Sequence, residues 1–501
     1  VTLPAWLRGL PDPERMRATD RWAIEECAIP GLELMEHAGR GLADVVLAVA
    51  SEGPIAVSCG KGNNGGDGYV AARLLREAGR EVRVLAVAPV DELGGDARAS
   101  AQRVDGVEPF AASRLADCAV VVDALLGTGF SGAPHGPVAD AIDAINDAGL
   151  PVVAADVPSG VDAATGVIEG RAIRARATAT FAAAKPGLWI NPGKSHAGRV
   201  RVVDIGIPAG APVEPPDVAL IDDAALLAQM PSRSAGWTKF TSGHVLVAGG
   251  SRGLTGAPSL AAEAAQRAGA GYVTACVPAS QQPVLAQRLL EAMTRGLPED
   301  DGAHTADGVD EVLELARRGG ALVVGPGLGR SDGAFAFARG LLARAEVAVV
   351  LDADGLNAHA GDLAALAGRG APTILTPHEG ELARLLGVES SAVQARRLEH
   401  ARAAAEQSQA IVVLKGDDTL VAEPGGRVAV SPGATGALAT AGTGDVLSGV
   451  LAAVLSRGLE PFMAVCAGVR LHARAGIHAA HDKGVDGVIA RDVIEALPFA
   501  R

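Results

Sequence analysis

Residues 55–68 read Ile55-Ala-Val-Ser-Cys-Gly-Lys-Gly-Asn-Asn-Gly-Gly-Asp-Gly68, a short apolar run that breaks into glycines and continues as a helical pattern. An uncharged run of this length, bounded by glycine, reads as a strand buried in a parallel sheet. Gly60, Gly62 and Gly65 satisfy the G-x-G-x-x-G spacing, which lets a strand turn sharply into a helix whose N-terminal amides face an anion. The spacing alone is a weak signal. The next strand, Val82 to Val87, runs into Ala-Pro-Val90 and offers no acidic ribose partner before Asp91, which argues against a plain nicotinamide dehydrogenase. Asn63, Asn64 and Asp67 add amides and a carboxylate suited to a polar, phosphorylated ligand. The competing reading is an Asx-rich turn that caps the helix.

Outward from this stretch, Ala119 to Asp123 and Val152 to Asp156 repeat the strand signal, with helical segments near 66–78 and 137–148 and two earlier ones at about 14–28 and 32–50. The alternation predicts a doubly wound α/β fold, a Rossmann-like three-layer α/β/α domain. Asp123 leads into a second glycine-rich loop, Leu125 to Gly132, and Asp156 opens Asp-Val-Pro-Ser159-Gly. Ligands bind such sheets at the carboxyl ends of the strands, so Asp67, Asp123, Asp156 and Ser159 should converge on one crevice. Beyond about 205 the pattern breaks at Pro208, Pro212, Pro215 and Pro216, and a second α/β series starts at His244 to Ala248. It continues through Gly271 to Val277, Ala321 to Val324, Val347 to Leu351, Thr373 to Thr376 and Ile411 to Leu414. Two domains are expected, 1–212 and 237–501, joined by a linker over 213–236.

Composition fits this division. The chain has 501 residues, 49% hydrophobic and 20% charged, with a net charge of -14, and each half carries more acid than base. Disorder is excluded, and neither half has the basic excess of a nucleic-acid binder. No apolar run approaches the length of a membrane span. The five scattered cysteines, 27, 59, 118, 276 and 466, read as reduced buried thiols of a cytoplasmic protein. With aromatics at 3%, the core must be built from Ala, Val and Leu.

In the second half, Leu438 to Gly449 carries the densest signal. Gly442-Thr443-Gly444 ahead of an apolar helical run aims backbone N–H groups at one point, an anion hole for a transferring phosphoryl group. Asp445 in the first turn is placed to take a proton from an attacking hydroxyl. A capped glycine turn, with Asp favouring the helix dipole, is the bland alternative.

The motifs GKGNNGGDG, ALLGTGFSG, DVPSGVDAATG, Leu34-Met-Glu-His-Ala-Gly39 and Phe181-Ala-Ala-Ala-Lys-Pro-Gly187 together resemble the YjeF N-terminal domain, the NAD(P)H-hydrate epimerase family, over about 10–212. The resemblance implies interconversion of the R and S forms of NADHX and NADPHX, the hydrated forms of NADH and NADPH, with the help of K+. It implies substrate contacts from Asn63, Asn64, Gly65, Gly66 and Asp67 and from Gly127, Thr128, Gly129, Phe130, Ser131, Gly132 and Ala133. It further implies potassium ligation by Asn64, Asp123 and Ser159, with Asp156 as the acid/base candidate at the substrate.

The second half is similar to the ribokinase-like superfamily, and within it to the YjeF C-terminal domain, the ADP/ATP-dependent (S)-NAD(P)H-hydrate dehydratase family, over about 225–497. The resemblance rests on Gly243 to Ser251, Thr255-Gly-Ala-Pro258, Gly325-Pro-Gly-Leu-Gly329, Leu351 to Asn357, Thr376-Pro-His-Glu-Gly-Glu381 and Leu414 to Thr419. It implies that Asp445 contacts the substrate hydroxyl and that Ala257, Gly327 and His378 line the hydrate site. Lys415, Gly416, Asp417, Asp418, Thr419 and Gly444 would hold ADP, with Mg2+ at Glu379 or Glu381. Ser431 to Thr440 departs from the family's Asn-Pro-Gly-Met wording. His378 also reads as a satisfied strand-end histidine, and Asp352 and Asp354 as helix caps. A homo-oligomer is expected. The alternative is a ribokinase-like small-molecule hydroxyl kinase fused to a nucleotide-binding domain.

The chain holds 38 Arg and only 6 Lys, and Lys61, Lys185, Lys239 and Lys415 fall inside the motifs. A compact ammonium kept where Arg is the default suggests a point-charge role that a guanidinium cannot fill.

Overall fold

The computed structural model describes residues 3–501, which separate into two units, one of Gly9–Val218 and one of Leu3–Arg8 with Ala219–Arg501.

In the first unit, seven strands lie in the order Val107–Pro109, Val82–Ala86, Ile55–Cys59, Val120–Ala124, Val152–Ala155, Ala177–Phe181 and Arg199–Val203, every neighbouring pair parallel. Successive crossovers run outward in both directions from Ile55–Cys59 and Val120–Ala124, which makes the carboxyl ends of those two strands the switch point where a crevice opens. Alternation along each strand divides the core. Ile55, Val57 and Val84 pack with Leu42, Val46 and Leu75 of the helices Gly31–Val49 and Asn63–Glu77, while Ala56, Leu85 and Val121 pack with Ile142 and Ile145 of Gly136–Asp147.

The second unit is built on one eleven-stranded sheet. From one edge these are Met293–Leu297, Tyr272–Pro278, His244–Ala248, Ala321–Val324, Ala348–Leu351, Thr373–Leu375 and Ile411–Leu414, all parallel. The antiparallel pair Leu420–Ala422 and Val428–Val430 follows, then Val218–Ile221 and Leu7–Gly9. The aromatic-poor core depends on close backbone approach. Helix Thr443–Leu455 packs on Gly256–Arg267 so tightly that a Cβ on Gly449 would lie 2.1 Å from the Ala261 carbonyl oxygen.

The expected linker over 213–236 contains the strand Val218–Ile221 and the helix Asp223–Leu227, both in the second unit except for Val218 itself. The proline cluster hides them, because its lack of periodicity runs directly into the short strand. Leu3–Arg8 also joins the second unit, where Trp6 packs on Phe462 with ring centroids 6.2 Å apart and its carbonyl accepts from Asp222 N at 2.9 Å. All five cysteines are free, and Cys27 is only half-buried, against the expectation of burial for every one. No helix among the described residues is long and apolar enough to cross a membrane.

Candidate active sites

At the switch point of the first unit lies a cleft of about 720 Å³. Asn63, Asn64 and Asp67 line it from the start of their helix, Gly127 to Phe130 from the loop after Val120–Ala124, and Asp156 from the turn after Val152–Ala155. The glycine loop is held by contact as well as by turn geometry. A Cβ on Gly60 would lie 1.9 Å from the Leu125 carbonyl oxygen, and one on Gly65 would lie 2.0 Å from that of Gly60. Ser131, Gly132 and Ala133 are exposed and do not line the cleft, and Gly65 and Gly66 sit behind the side chains that do.

Asp156 is held in a left-handed conformation, φ +63°, which bulky side chains rarely adopt and which points to imposed geometry. Its Oδ1 accepts from Lys185 Nζ at 2.5 Å and Phe181 N at 3.3 Å, and Oδ2 accepts from Thr128 N at 3.3 Å. Lys185 is 1% exposed and also donates to Phe181 O at 2.8 Å and Thr180 Oγ1 at 3.0 Å. Burial works against the Asp156 carboxylate, but the adjoining ammonium and its hydrogen bonds outweigh burial and hold it below the usual carboxylate range. Asp67 goes the other way: burial, and then the charges of Asp156 and Asp20, push it well above that range. Asp20, on helix Pro13–Glu25, lines the same cleft, and sequence reasoning missed it because nothing around it repeats a motif.

Behind the cleft, Asp123 is fully buried and accepts from Ser159 N at 2.8 Å and Ser159 Oγ at 2.6 Å. Burial raises it to about 6 despite those bonds. Asn64 donates from Nδ2 to Leu126 O at 2.8 Å, while its buried Oδ1 has no partner among the described residues. Leu126 N donates to Ser159 Oγ at 2.9 Å, which links all three expected potassium ligands through one loop.

In the second unit, helix Thr443–Leu455 begins at Gly442, whose φ of +90° turns the chain so that the first amides of the helix point outward. The Thr443 hydroxyl donates to Leu438 O at 2.7 Å and Thr440 O at 2.9 Å, so it shapes the loop, and the backbone of the anion hole is left for a ligand. A Cβ on Gly444 would lie 3.6 Å from Lys415 Nζ, which places that ammonium at the mouth of the hole. Lys415 Nζ is itself held by Asp352 Oδ1 at 3.2 Å and Glu381 Oε2 at 3.5 Å. Asp352 accepts in addition from Thr376 Oγ1 at 2.8 Å and Ser448 Oγ at 2.7 Å. Asp445 is raised to about 7, by burial first and then by Asp352.

A cavity of about 270 Å³ beside the hole is lined by Lys415, Gly416, Asp417, Thr419 and Gly444, and by residues of the divergent stretch 431–440. Asp418 is instead 1% exposed and bonded to Arg397 Nε at 3.0 Å, so its side chain does structural duty. Arg397 also pairs with Glu379 at 2.5 Å, leaving Glu381 as the carboxylate beside Lys415. His378 Nδ1 accepts from Gly380 N at 3.0 Å and Glu381 N at 3.3 Å as the cap of helix Glu379–Leu386. Ala257 and Gly327 meet, with 3.2 Å between the Ala257 Cβ and one built on Gly327. Asp354 bonds Arg330 Nε at 2.9 Å and Asn357 Nδ2 at 3.0 Å, a helix-start role, whereas Asp352 anchors the lysine.

Among known proteins, a family model described as NAD(P)H-hydrate dehydratase matches residues 245–499, and one described as YjeF-related protein N-terminus matches 31–187. The bifunctional NAD(P)H-hydrate repair enzyme Nnr of Moorella thermoacetica is 42% identical over 97% of this chain and 95% of its own. The enzyme of the same name from Salinibacter ruber is 39% identical over 96% and 94%. A solved ADP/ATP-dependent NAD(P)H-hydrate dehydratase from Bacillus subtilis, co-crystallised with ATP/Mg2+, is 31% identical over 56% of this chain and 95% of its own, with a TM-score of 0.48. With relatives matched end to end and a separate cleft in each unit, the chain belongs to the family of bifunctional NAD(P)H-hydrate repair enzymes.

Proposed function

We propose that the first unit epimerises R and S NADHX and NADPHX and that the second dehydrates the S form to NADH or NADPH, using ADP and giving AMP and phosphate. The observation that carries this reading is an ammonium held among carboxylates at each of two separate clefts: Lys185 on Asp156 in the first, and in the second Lys415 between Asp352 and Glu381 at the mouth of the anion hole that leads into Asp445. A small-molecule kinase fused to a binding module gives no account of the first of these.

In the epimerase cleft, Asp156 acts on the C6 hydroxyl of the hydrate, with the nucleotide's phosphates toward the amides of Asn63–Glu77. The residues fit potassium, since the buried, unpartnered Asn64 Oδ1 stands with Ser159 Oγ and the Asp123 carboxylate as a set of hard oxygen donors. Bound there, K+ supplies positive charge that fixes the loop after Val120–Ala124. Asn64, Asp123 and Ser159 orient that loop toward the substrate.

In the dehydratase site, Asp445 takes the proton of the C6 hydroxyl as its oxygen attacks the β-phosphorus of ADP and the bond to AMP breaks. Amides of Gly442 to Asp445 cradle the phosphoryl oxygens, and Lys415 meets their charge. Phosphate then leaves C6 with the bonding pair, a proton is lost from C5 to solvent, and the ring double bond returns. Glu381, the expected carboxylate not paired with Arg397, would hold Mg2+, which would supply charge neutralisation on the phosphates.

The test mixes purified protein with both epimers of NADHX, ADP and magnesium, and follows reduced-nicotinamide absorbance. Full recovery is expected, slower when choline replaces potassium. Recovery that stops at the S fraction, beyond spontaneous epimerisation, removes the epimerase; no recovery removes the dehydratase.

A further inference from the structure

The first cleft holds more acid than its mechanism has so far used. Asp20, Asp67 and Asp156 line it with a single buried ammonium, Lys185. An ammonium has three donors, and those of Lys185 go to Asp156 Oδ1, Thr180 Oγ1 and Phe181 O. Asp67 is 8% exposed, on the helix that follows the glycine loop, and its carboxyl has neither a hydrogen bond nor an ion pair among the described residues. Its charged neighbours around the cleft are Arg17, Asp20, Lys61, Asp96, Asp156 and Lys185. Arg17 and Lys61 are exposed, and Lys61 is paired with Glu92 at 3.4 Å. Burying an ionised carboxylate without partners is strongly unfavourable, whereas the protonated acid avoids most of that penalty. Burial and the two neighbouring carboxylates act in that same direction on Asp67.

Two carboxyls pushed apart on one cleft, Asp156 held down by an adjoining ammonium and Asp67 buried without a cation, are the arrangement of a general base and a general acid. Resting on the epimerase reading of this cleft, we propose that Asp67 is the second catalytic residue of epimerisation, the acid that protonates ring nitrogen N1 while Asp156 takes the proton of the C6 hydroxyl. The hydroxyl oxygen then forms a carbonyl with C6 as the C6–N1 bond breaks. The bonding pair goes to N1, which receives the Asp67 proton. Rotation about C5–C6 presents the other face of the aldehyde. N1 attacks it, returns its proton to Asp67, and the new C6 oxygen recovers the proton held by Asp156. Nothing is oxidised or reduced, and both residues end as they began.

The test compares Asp67→Asn and Asp67→Glu with the unaltered chain, measuring R-to-S conversion above the spontaneous rate. For Asp67→Asn, kcat falls about 100-fold or more, while KM for NADHX stays within about threefold. Asp67→Glu recovers part of kcat, and dehydration of pure S epimer by the same variant is unchanged, which reports an intact chain. The unaltered enzyme loses kcat on an alkaline limb that Asp67→Asn lacks. An active Asp67→Asn with kcat within about threefold of the unaltered chain, or one whose loss lies wholly in KM, overturns the inference and leaves the epimerase reading standing. If Asp67→Asn fails to fold by circular dichroism, the pH profile of the unaltered chain decides, and a kcat without an alkaline limb overturns the inference. An unaltered chain that does not epimerise NADHX overturns the reading beneath it as well.

Discussion

Lys185 Nζ stands 2.5 Å from Asp156 Oδ1, inside a unit where the lysine is 1% exposed. The pair is made by two strand ends, Val152–Ala155 and Ala177–Phe181, that are neighbours in the sheet, so the fold itself sets the separation. Replacing Lys185 with Met leaves a buried carboxylate without its cation, and roughly 3–5 kcal/mol of stability is expected to be lost. Urea unfolding of the first unit measures it, and a second change, Asp156→Asn, should return much of the loss. The Asp156 value is depressed on folding, so the pair's contribution is present above the ordinary carboxylate value of about 4 and disappears as pH falls through the lower folded value. The Lys185→Met chain should show a smaller loss on the acid side.

In the proposed dehydration Asp445 is the base, so its ionised form is expected to be the active one. Asp445→Asn is expected to lower dehydration about 100-fold or more while epimerisation persists. With the folded value raised to about 7, the rate should climb with pH through that value and level above it. Stability moves the opposite way. The unfolded chain ionises this residue near 4, so the folded state loses stability between about pH 4 and 7. A rate that stays flat between pH 5 and 8, read as absorbance return from S-NADHX, contradicts the assignment.

Gly442 makes the turn into the anion hole at φ +90°, and a Cβ there would lie 2.7 Å from Leu260 Cδ1. Gly442→Ala should cost roughly 1–2 kcal/mol for the left-handed backbone alone. Because the same turn aims the amides, KM for ADP should rise together with the drop in melting temperature. Unchanged KM in a destabilised chain would separate the turn from phosphate binding.

Lys415 tests the reading drawn from the scarcity of lysine. Its ammonium sits between Asp352 at 3.2 Å and Glu381 at 3.5 Å, a space shaped for a point charge. Lys415→Arg preserves charge and adds a planar fork that this space does not match. KM for ADP should rise about tenfold or more, a loss of roughly 1.4 kcal/mol of binding. Equal affinity in titration calorimetry would remove the special role of the lysine.

The strands that build both clefts were legible because buried parallel strands leave continuous Val and Ile runs, such as Val120–Ala124 and Ile411–Leu414. Arg199–Val203 was missed because an edge strand alternates charge with Val, and Ala177–Phe181 because small residues and Thr do not stand out from a loop. Asp123, Asp156 and Ser159 could be placed since Asp123 closes its strand, Asp156 directly follows one and Ser159 lies in the turn after it. Asp20 could not, because only the packing of a preceding helix brings it to the cleft. Asp418 and Asp352 show the same limit. One sits in a motif yet turns to Arg397, and the other read equally well as a cap yet anchors Lys415.

The membership of Leu3–Arg8 in the second unit makes the epimerase half an insertion within the dehydratase half along the chain. A fragment starting at Ala219 would lack the neighbouring strand that Leu7–Gly9 provides to Val218–Ile221, and the Trp6 face that covers Phe462. Its sheet would end in an open edge, a template for pairing with other chains. Severing the two halves therefore calls for a redesigned boundary in which residues 3–8 are carried over to the second half, as in a circular permutation.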